Sequence, residues 1–415
     1  MKFRSIKGTK DILPAESAAW QSVEGVVRTV MADFNYREIR TPVFEQTSLF
    51  ARSIGELTDI VSKEMYSFLD RGEDSITLRP EGTASTLRAY IQNNLAEQSP
   101  MVKLYYLGPM FRQERPQAGR LRQFHQFGAE AIGSTSPQLD VEIIAIPIEI
   151  YRRLGISDSR LKINSVGCEK CRPTYKELLT IFLLNLKDRL SPESHLRIQS
   201  NPLRVLDSKD ENDIRLTATA PLIKDYLCQE CRTHFDEVRR LLGAINLSHE
   251  IDGRLVRGLD YYTKTAFEVT SASLGSQDAL AGGGRYDLLV AELGGKPTPG
   301  VGFAAGLERL LIVLDKLGKN NFIETSPDLY LVSLDEATRQ WAFVKAMELR
   351  GKGMRVELDY LSRSIKAQMR DANRQSARYV LVVGEQELKS GRGKLKQMSS
   401  GTETEISLEN IAVPQ

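Results

Sequence analysis

The chain has no hydrophobic run long enough to cross a membrane. Its longest apolar stretches, such as residues 379–383, have the length of a strand, whereas a transmembrane helix needs about 20 apolar residues. The first ten residues carry charge, but no apolar segment of a secretory signal follows them. We therefore expect a cytoplasmic protein with no membrane partner.

An excess of charge of one sign is also lacking. Lys and Arg (56) nearly balance Asp and Glu (54), so the formal net charge is only +2. A polyanionic partner would have to bind at a local basic surface. The 415 residues, 41% of them hydrophobic and 27% charged, are typical of a folded globular chain and too many for one ordinary core. Two or three domains are expected, and we find no internal repeat.

Cysteine is scarce. The four cysteines form two C-x-x-C pairs, Cys168 with Cys171 and Cys228 with Cys231. In a reducing compartment this pattern suits a tetrahedral zinc better than disulfides. The pairs are farther apart than in short zinc modules, so two reduced pairs at helix ends remain the alternative. A structural Zn²⁺ is therefore a hypothesis at this point.

The N-terminal region has helical periodicity followed by strand-forming residues. Apolar residues at helical spacing over 16–35 predict an amphipathic helix. A strand is expected over 36–45, at an edge or interface, because Pro42 has no N–H for a ladder bond. Residues 101–132 predict a long antiparallel pair around a loop at 115–119.

The composition of the sequence then changes. Residues 168–250 are helix-rich and charged, which predicts an insertion with helices at 175–190 and 227–242. Strand-forming residues resume at 255–270. A glycine-led helix is predicted over 300–316.

The end of the chain is set off by a polar stretch that ends in proline. We place a linker at 323–327, between a first domain at 1–322 and a second at 328–415. In the second domain short strands alternate with helices, which predicts a small α/β domain with a mostly parallel sheet.

The predicted antiparallel pair has a polar face where a core would be apolar. By strand periodicity that face collects Arg112, Glu114, Arg122, Phe124, Gln126 and Glu130. An unpaired buried polar group costs about 1 to 3 kcal/mol, so these side chains need a ligand or one another. Arginine beside a stackable phenylalanine suits a nucleotide. A solvated sheet face with ion pairs is the alternative.

Two further segments place arginine and glycine beside tyrosine: L-V-R-G-L-D-Y-Y-T-K at 255–264 and A-G-G-G-R-Y-D at 281–287. Arg257 offers a fork of donors for a carboxylate or a phosphate. Glycines at 282–284 let the backbone approach a ligand closely. A small ligand could be walled by Tyr261, Tyr262 and Tyr286. An ordinary strand and turn with a surface arginine is the alternative.

These segments resemble the histidyl-tRNA synthetases, a family of class II aminoacyl-tRNA synthetases, over nearly the whole chain. R-T-P-V-F-E resembles the first class II motif, with its proline at the dimer interface. F-R-Q-E with R-Q-F-H-Q-F resembles the second, and G-V-G-F-A-A-G-L-E-R-L the third, whose arginine is Arg309. K-G-T-K-D-I-L-P and T-L-R-P-E-G-T also match the family. The segments with Arg257 and Tyr286 are similar to its histidine signatures.

The resemblance implies an α+β chain. Its catalytic domain would be the class II antiparallel sheet with a helical insertion, followed by a C-terminal α/β anticodon-binding domain. It implies a homodimer that activates L-histidine with ATP and Mg²⁺ to histidyl-adenylate and transfers it to the 3′ end of tRNA(His).

It also implies roles for single residues. Histidine would be bound by Glu81, Thr83, Arg112, Gln126, Glu130, Arg257, Tyr261, Tyr262 and Tyr286. ATP would be bound by Arg112, Glu114, Arg120, Phe124 and Arg309. Arg112 and Arg257 would be catalytic, as cations facing the reacting phosphate. The chemistry agrees, because a carboxylate such as Glu130 beside tyrosine hydroxyls can fix the tautomer of an imidazole.

Basic residues in the second domain fit RNA. The predicted helix at 364–375 presents Lys366, Arg370 and Arg374, and a turn at 389–396 adds further cations. A solvated charged face would have the same composition.

Two rival functions stay open. The regulatory subunit of ATP phosphoribosyltransferase shares this catalytic fold without being a synthetase, but it would lack the C-terminal domain and usually the catalytic arginine. A class II synthetase for another amino acid is opposed by the segments with Arg257 and Tyr286.

Overall fold

A computed structural model describes residues 3–54, 58, 60–117, 119–208, 210–256, 261–275, 279–319 and 326–414. The chain divides into two compact units, Met1–Phe322 and Ile323–Gln415. In the described ranges, no helix combines the length and the apolar character that crossing a membrane requires.

The first unit mixes strands and helices along its length. Its strands are β1 (Arg37–Glu38), β2 (Phe44–Gln46), β3 (Tyr66–Leu69), β4 (Ser75–Leu78), β5 (Val102–Phe111), β6 (Gln123–Ile132), β7 (Ser159–Ser165), β8 (Glu250–Ile251), β9 (Thr263–Ser271), β10 (Ala279–Arg285) and β11 (Gly300–Gly306). Its α-helices are α1 (Pro14–Asp33), α2 (Thr47–Ile54), α3 (Thr83–Gln92), α4 (Leu95–Gln98), α5 (Pro137–Arg153), α6 (Arg172–Leu184), α7 (Pro192–Ser200), α8 (Glu211–Leu216), α9 (Gln229–Ala244), α10 (Leu289–Glu292) and α11 (Leu307–Lys316). Short 3₁₀ turns and one π-helical turn, Ile60–Glu64, complete it.

An eight-stranded sheet organises this unit, with strand order β1-β5-β6-β11-β10-β9-β7-β8. The outermost pairs, β1 with β5 and β7 with β8, are parallel, and the pairs between them are antiparallel. A separate antiparallel sheet has the order β2-β4-β3. The predicted antiparallel-sheet domain is confirmed, including the pair β5 and β6.

Helices cover one face of the large sheet. Along β6 the residues Phe127 and Ala129 point into a core formed with α1, α5, α9 and α11, while Phe124, Gln126 and Glu130 alternate onto the opposite face. Full burial of a side chain such as that of Phe127 contributes roughly 1.5 to 3 kcal/mol. The apolar face therefore holds α1, α5, α9 and α11, while α3 and α10 pack on the other face near its polar residues.

Two predicted elements of the first unit differ from the structure. The strand expected over 36–45 is divided into β1 and β2, which belong to different sheets, because Pro42 lies between them and cannot continue a ladder. The helix expected over 300–316 begins only at Leu307, and its first residues form β11. Their glycines and alanines suit β11 because it lies between β6 and β10 with little space around it.

The predicted insertion has a hydrophobic core of its own. That core contains Tyr175 and Leu179 of α6 and Leu203 and Val205 of a 3₁₀ turn. Helix α9 takes part in two cores, since its first turn adds Cys231 to this one and its later residues Phe235, Val238 and Leu242 pack onto the large sheet. Helix α9 thus packs against both the core of the insertion and the large sheet.

The second unit is a five-stranded sheet with helices. Its elements are β12 (Leu329–Ser333), α12 (Glu336–Gly351), β13 (Val356–Leu358), α13 (Ile365–Arg374), β14 (Tyr379–Val383), α14 (Glu385–Ser390), β15 (Arg392–Gln397) and β16 (Glu403–Ser407). Strands β13, β12 and β14 are parallel, as predicted, but β15 and β16 add an antiparallel hairpin. The predicted turn at 389–396 is therefore wrong, because most of it is strand β15.

Candidate active site

A cavity of about 740 Å³ opens on the polar face of the large sheet. It brings together residues that are far apart in the chain. The predicted residues in its wall are Glu81, Thr83, Arg112, Glu114, Arg120, Phe124, Gln126, Tyr261, Tyr262, Tyr286 and Arg309. Glu130 lies directly beneath them. Arg257 lies outside the described residues.

Glu130 is a fully buried carboxylate held by two hydroxyl groups. Thr83 Oγ1 donates to Glu130 Oε1 at 2.7 Å, and Tyr286 Oη donates to Glu130 Oε2 at 2.5 Å. Burial raises the pKa of Glu130 to about 8, although both hydroxyl bonds favour the charged form. The pocket thus contains a carboxyl group that gains or loses its proton at a pH of about 8.

Space for this carboxylate is provided by a glycine on the neighbouring strand. Gly302 lies opposite Glu130 in the pairing of β11 with β6. A Cβ on Gly302 would lie 1.9 Å from Glu130 Oε2 and 2.7 Å from the carbonyl oxygen of Ala129. Any larger residue would therefore displace the carboxylate or the sheet.

Glu81 is fixed at the start of α3. Its carboxylate accepts bonds from the backbone N–H groups of Thr83, at 2.6 Å, and Ala84, at 2.8 Å. Burial raises the pKa of Glu81, and the positive charge of Arg112 acts in the opposite direction. Because the backbone of α3 sets its position, Glu81 can meet a cationic group with little reorganisation.

Three tyrosines form the aromatic wall. The ring centroids of Tyr261 and Tyr262 are 4.7 Å apart, and Tyr286 meets Tyr261 edge to face at 5.9 Å. Burial raises the pKa values of Tyr261 and Tyr286, so their hydroxyls stay protonated donors.

Tyr106 is a buried residue of this region that the sequence prediction missed. A Cβ at Gly82 would lie 2.3 Å from Tyr106 Cε2, and one at Gly128 would lie 2.4 Å from its hydroxyl oxygen. The ring thus fills the space left by two glycines beneath the cavity. The strand alternation of β5 was the available signal, since Tyr106 lies opposite Gly128 on the polar face.

The other half of the cavity is cationic. The Arg112 guanidinium donates to the carbonyl oxygen of Pro80 at 3.0 Å and lies 5.3 Å from the ring centroid of Phe124. Arg309 donates to the carbonyl oxygens of Gly119, at 3.2 Å, and Ala279, at 2.8 Å. Burial and then the nearby charge of Arg120 lower the pKa of Arg309. An anion bound here would relieve this repulsion.

Two carboxylates accompany these arginines. Glu114 Oε2 accepts a bond of 3.2 Å from Arg120, and Glu268 lines the same cavity. The sequence prediction missed Glu268, although it is the one charged side chain among apolar and hydroxyl residues in the run T-A-F-E-V-T of β9.

Gln126 has a buried carboxamide oxygen that needs a partner. Within the part of the chain that the structure describes, Gln126 Oε1 has none. Because its side chain lines the cavity, a donor on a bound ligand is the simplest way to satisfy it.

The four cysteines form one cluster in the core of the insertion. The Sγ distances are 3.8 Å for Cys168 to Cys171, 3.7 Å for Cys168 to Cys228 and 3.8 Å for Cys171 to Cys231. These are too long for disulfide bonds, and all four thiols are free. A tetrahedron with Zn–S bonds of about 2.3 Å has sulfur atoms about 3.8 Å apart, so this cluster has the dimensions of a zinc site.

The sequence matches the histidyl-tRNA synthetase family over residues 8–171 and 184–310. It is 49% identical to a histidine–tRNA ligase of Halothermothrix orenii over 411 residues, which cover 99% of this chain and 98% of that protein. The chain belongs to the histidyl-tRNA synthetase family. The ligase of Chloroherpeton thalassium is 50% identical over 414 residues, covering 99% of this chain and 97% of the relative.

Structural similarity agrees with this assignment. The apo histidyl-tRNA synthetase of S. aureus superposes with a TM-score of 0.84 at 38% identity and covers 98% of each chain. A Bacillus halodurans protein described as an ATP phosphoribosyltransferase regulatory subunit/histidyl-tRNA synthetase shares the fold, with a TM-score of 0.65 at 21% identity. The second unit matches the anticodon binding domain family over residues 328–412. The full-length ligase relatives favour a histidyl-tRNA synthetase over the regulatory subunit.

The raised pKa of Glu130 predicts a pH-dependent stability. Between a pH of about 4.5 and a pH of about 8, the folded chain holds a proton on Glu130 that the unfolded chain has released. The contribution of Glu130 to the free energy of unfolding is therefore full at low pH and decreases as pH rises. The free energy of unfolding of the wild type, minus that of Glu130→Gln, should fall across this range in urea titrations. The exposed Glu97→Gln is the control, and a difference for Glu130→Gln that does not vary with pH would refute the raised pKa.

Proposed function

We propose that this chain charges tRNA(His) with histidine in two steps within the one cavity. The histidine carboxylate attacks the α-phosphorus of ATP and releases pyrophosphate. A terminal ribose hydroxyl of the tRNA then attacks the carbonyl carbon of the adenylate, forms the ester and releases AMP. The observation that carries this proposal is the buried Glu130, held by Thr83 and Tyr286, beside a cationic half suited to a nucleotide.

The tyrosine half of the cavity is proposed to hold histidine. Glu130 can accept one ring N–H and the free oxygen of Gln126 the other, which would bind the ring as an imidazolium. Glu81 and Thr83 would meet the amino group. A side chain without ring nitrogens would leave these buried polar groups unpaired, which is the type of contact that gives strong discrimination.

The arginine half is proposed to hold ATP. Phe124 and Arg309 would contact the base, Arg120 the outer phosphates, and Arg112 the α-phosphate. Arg112 is held in advance by Pro80 and Phe124, so its charge faces the phosphorus without reorganising during the reaction. No side-chain nucleophile is required, and catalysis rests on position and charge. The role of Arg257 beside the α-phosphate rests on the family pattern.

The cavity also fits the magnesium that accompanies ATP. Mg²⁺ prefers oxygen ligands and substrate phosphates, and Glu114 and Glu268 would supply carboxylate oxygens close to Arg309. When bound there, the ion would offset the negative charge of the phosphates.

Amino-acid-dependent exchange of pyrophosphate into ATP tests this proposal. Across the standard amino acids, histidine alone should support rapid exchange, because it alone satisfies Glu130 and Gln126 together. Equal exchange with another amino acid, or none with histidine, would show that the chain has a different substrate.

The four-cysteine cluster is proposed to bind one structural Zn²⁺. Cys168 and Cys171 precede α6, whereas Cys228 and Cys231 lie at the start of α9, so the ion would join the two ends of the insertion. The sulfur spacing and the hydrophobic surroundings support a closed tetrahedral site with no open position for catalysis.

Metal removal should destabilise the insertion. Protein purified without added zinc should contain close to one equivalent per chain, and the double variant Cys168→Ser, Cys228→Ser should lose the metal and unfold at a lower temperature. Metal analysis and thermal unfolding measure these effects independently of activity. Less than about a tenth of an equivalent, or unchanged unfolding of the variant, would rule out the site.

The three-stranded sheet is proposed to be the dimer interface. Its pairing places five apolar residues on one face: Phe44, Tyr66, Phe68, Ile76 and Leu78. Phe44 and Phe68 are 53% and 49% exposed, respectively, so this face lacks a cover within the described chain. A second copy of the chain would bury it, as expected for a homodimer.

A charge on that face should separate the dimer. In sedimentation experiments the wild type should have twice the 46.6 kDa mass of one chain, and Phe68→Glu should shift the mass toward the monomer. Leu184→Glu, at a residue of α6 with similar exposure (46%), is the matched control and should stay dimeric. A monomeric wild type would disprove the interface.

Helix α13 of the anticodon-binding unit is proposed to contact tRNA phosphates. Its side chains Lys366, Arg370 and Arg374 are exposed, and Arg374 forms an ion pair with Asp371 that orients it. Cations on one helix surface are typical of a phosphate-binding face.

Charge reversal of these three residues should weaken tRNA charging without affecting exchange. Fewer counterions would be released on binding, so the salt dependence of tRNA affinity should become shallower. Pyrophosphate exchange should stay at the wild-type rate, because the adenylation site is in the first unit. If tRNA affinity and its salt dependence were unchanged, α13 would not be part of the tRNA-binding surface.

A further inference from the structure

Arg285, a fully buried arginine, adjoins the proposed histidine pocket and takes no part in the steps above. Its guanidinium forms two short bonds with Asp140, Nη2 to Oδ2 at 2.7 Å and Nε to Oδ2 at 3.0 Å. Its Nη1 atom donates to Asp287 Oδ1 at 2.8 Å and to the carbonyl oxygen of Ser134 at 3.0 Å. Asp140 is itself fully buried and contacts His234 Nε2 through Oδ1 at 3.0 Å.

Stability alone does not explain this network. Taking two charges out of water costs several kcal/mol per ion, and apolar residues of similar volume often stabilise a fold as well or better. What an ion pair with several bonds does supply is a fixed geometry. The planar guanidinium of Arg285, held from three sides, leaves the backbone at this residue little freedom.

The backbone fixed in this way leads directly into Tyr286. Arg285 is the last residue of β10, and the next N–H, that of Tyr286, donates to the carbonyl oxygen of Gly300 at 2.8 Å. A Cβ at Gly300 would lie 2.3 Å from Tyr286 Cε2, so the ring is confined from that side as well. The next residue, Asp287, is held through its N–H by Thr263 Oγ1 at 3.1 Å.

We propose that Arg285, locked by Asp140 and His234, is a positioning residue that holds the Tyr286 hydroxyl on Glu130 and thereby sets the affinity for histidine. This deepens the proposed function and rests on it. None of the three residues of the network lines the cavity, so each acts through Tyr286 and not on the substrate.

The network also connects the insertion to the pocket. His234 lies on α9, one turn after Cys231, and Asp140 lies in the first turn of α5. A second link runs alongside, since Lys264 Nζ lies 3.0 Å from Glu230 Oε1 on α9 and 3.8 Å from Asp287 Oδ2. The position of α9 is thus transmitted to the segment that carries Tyr286.

Kinetics of pyrophosphate exchange by the full chain test the proposal. His234→Leu, which removes one partner of Asp140, should raise the KM for histidine by about fivefold or more, with the KM for ATP and kcat close to wild type. His234→Gln keeps an N–H that can reach Asp140 and should restore most of the affinity. A purely structural role would lower the unfolding temperature and leave the KM for histidine unchanged, which would overturn the proposal.

A double-mutant cycle shows whether the effect passes through Tyr286. Tyr286→Phe removes the hydroxyl, so adding His234→Leu to it should raise the histidine KM no further. Effects that multiply would mean that His234 acts by another route. Asp213→Asn is the matched control, because Asp213 is also a fully buried carboxylate, held by Ser191, Ser194 and Ser208 of the insertion. It should lower stability and leave the histidine KM unchanged.

If His234→Leu does not fold, Arg285→Lys provides the same test with the charge retained, and its histidine KM should rise because one ammonium cannot replace the fork. The outcomes separate this inference from the proposed function. A wild type without histidine-dependent exchange would refute the function itself, whereas an active wild type with unaffected variants would refute only the positioning role.

Discussion

The site depends on one buried carboxylate held between two hydroxyl groups. Without Thr83 and Tyr286, Glu130 would be a buried acid with no partner, a state that costs several kcal/mol and is avoided in folded proteins. Those two residues come from separate segments, the start of α3 and the residue that follows β10. The carboxylate therefore requires that the large sheet brings both segments to one point, and the sheet order does so.

Several features around the site are explained by the space and the partners that the Glu130 carboxylate requires. Glycine at Gly302 is required because the strand next to β6 must pass the carboxylate at a distance that excludes any side chain. Helices α1, α5, α9 and α11 cover the opposite face of the sheet, whereas α3 and α10 pack on this face beside the cavity. The cavity combines arginines with tyrosine hydroxyls and buried carboxylates, which is the chemistry that an anion and an imidazole bound side by side require. Buried links through Arg285 and α9 extend the same geometry into the insertion.

Much of the fold and the site was predictable from the sequence, and the exceptions have physical causes. The polar alternation of β6 indicated the face that holds Gln126 and Glu130, because strand periodicity determines side-chain direction. The helical periodicity of 307–316 concealed β11, since small residues before a helix favour neither state and only the neighbouring strands decide. The hairpin of β15 and β16 was missed because β15 exposes Arg392 and Lys394 and buries only Gly393 and Leu395 between and after them, so its apolar alternation is weak. The paired cysteines indicated a metal site, but only the fold shows that the two pairs meet. Arg285 and Asp140 could not be paired from sequence, as they are distant in the chain and joined only by packing.

The central claim is that Glu130 selects the imidazole of histidine, and calorimetric titration of histidine into the wild type and into Glu130→Gln tests it most directly. In titrations at a pH above about 8, where Glu130 is ionised, the variant keeps the size of the side chain and removes its negative charge. We predict that its affinity for histidine falls by about tenfold or more, as expected when a charge-assisted hydrogen bond is lost, while its affinity for ATP stays the same. Equal affinity of the two proteins for histidine would contradict this account of the pocket.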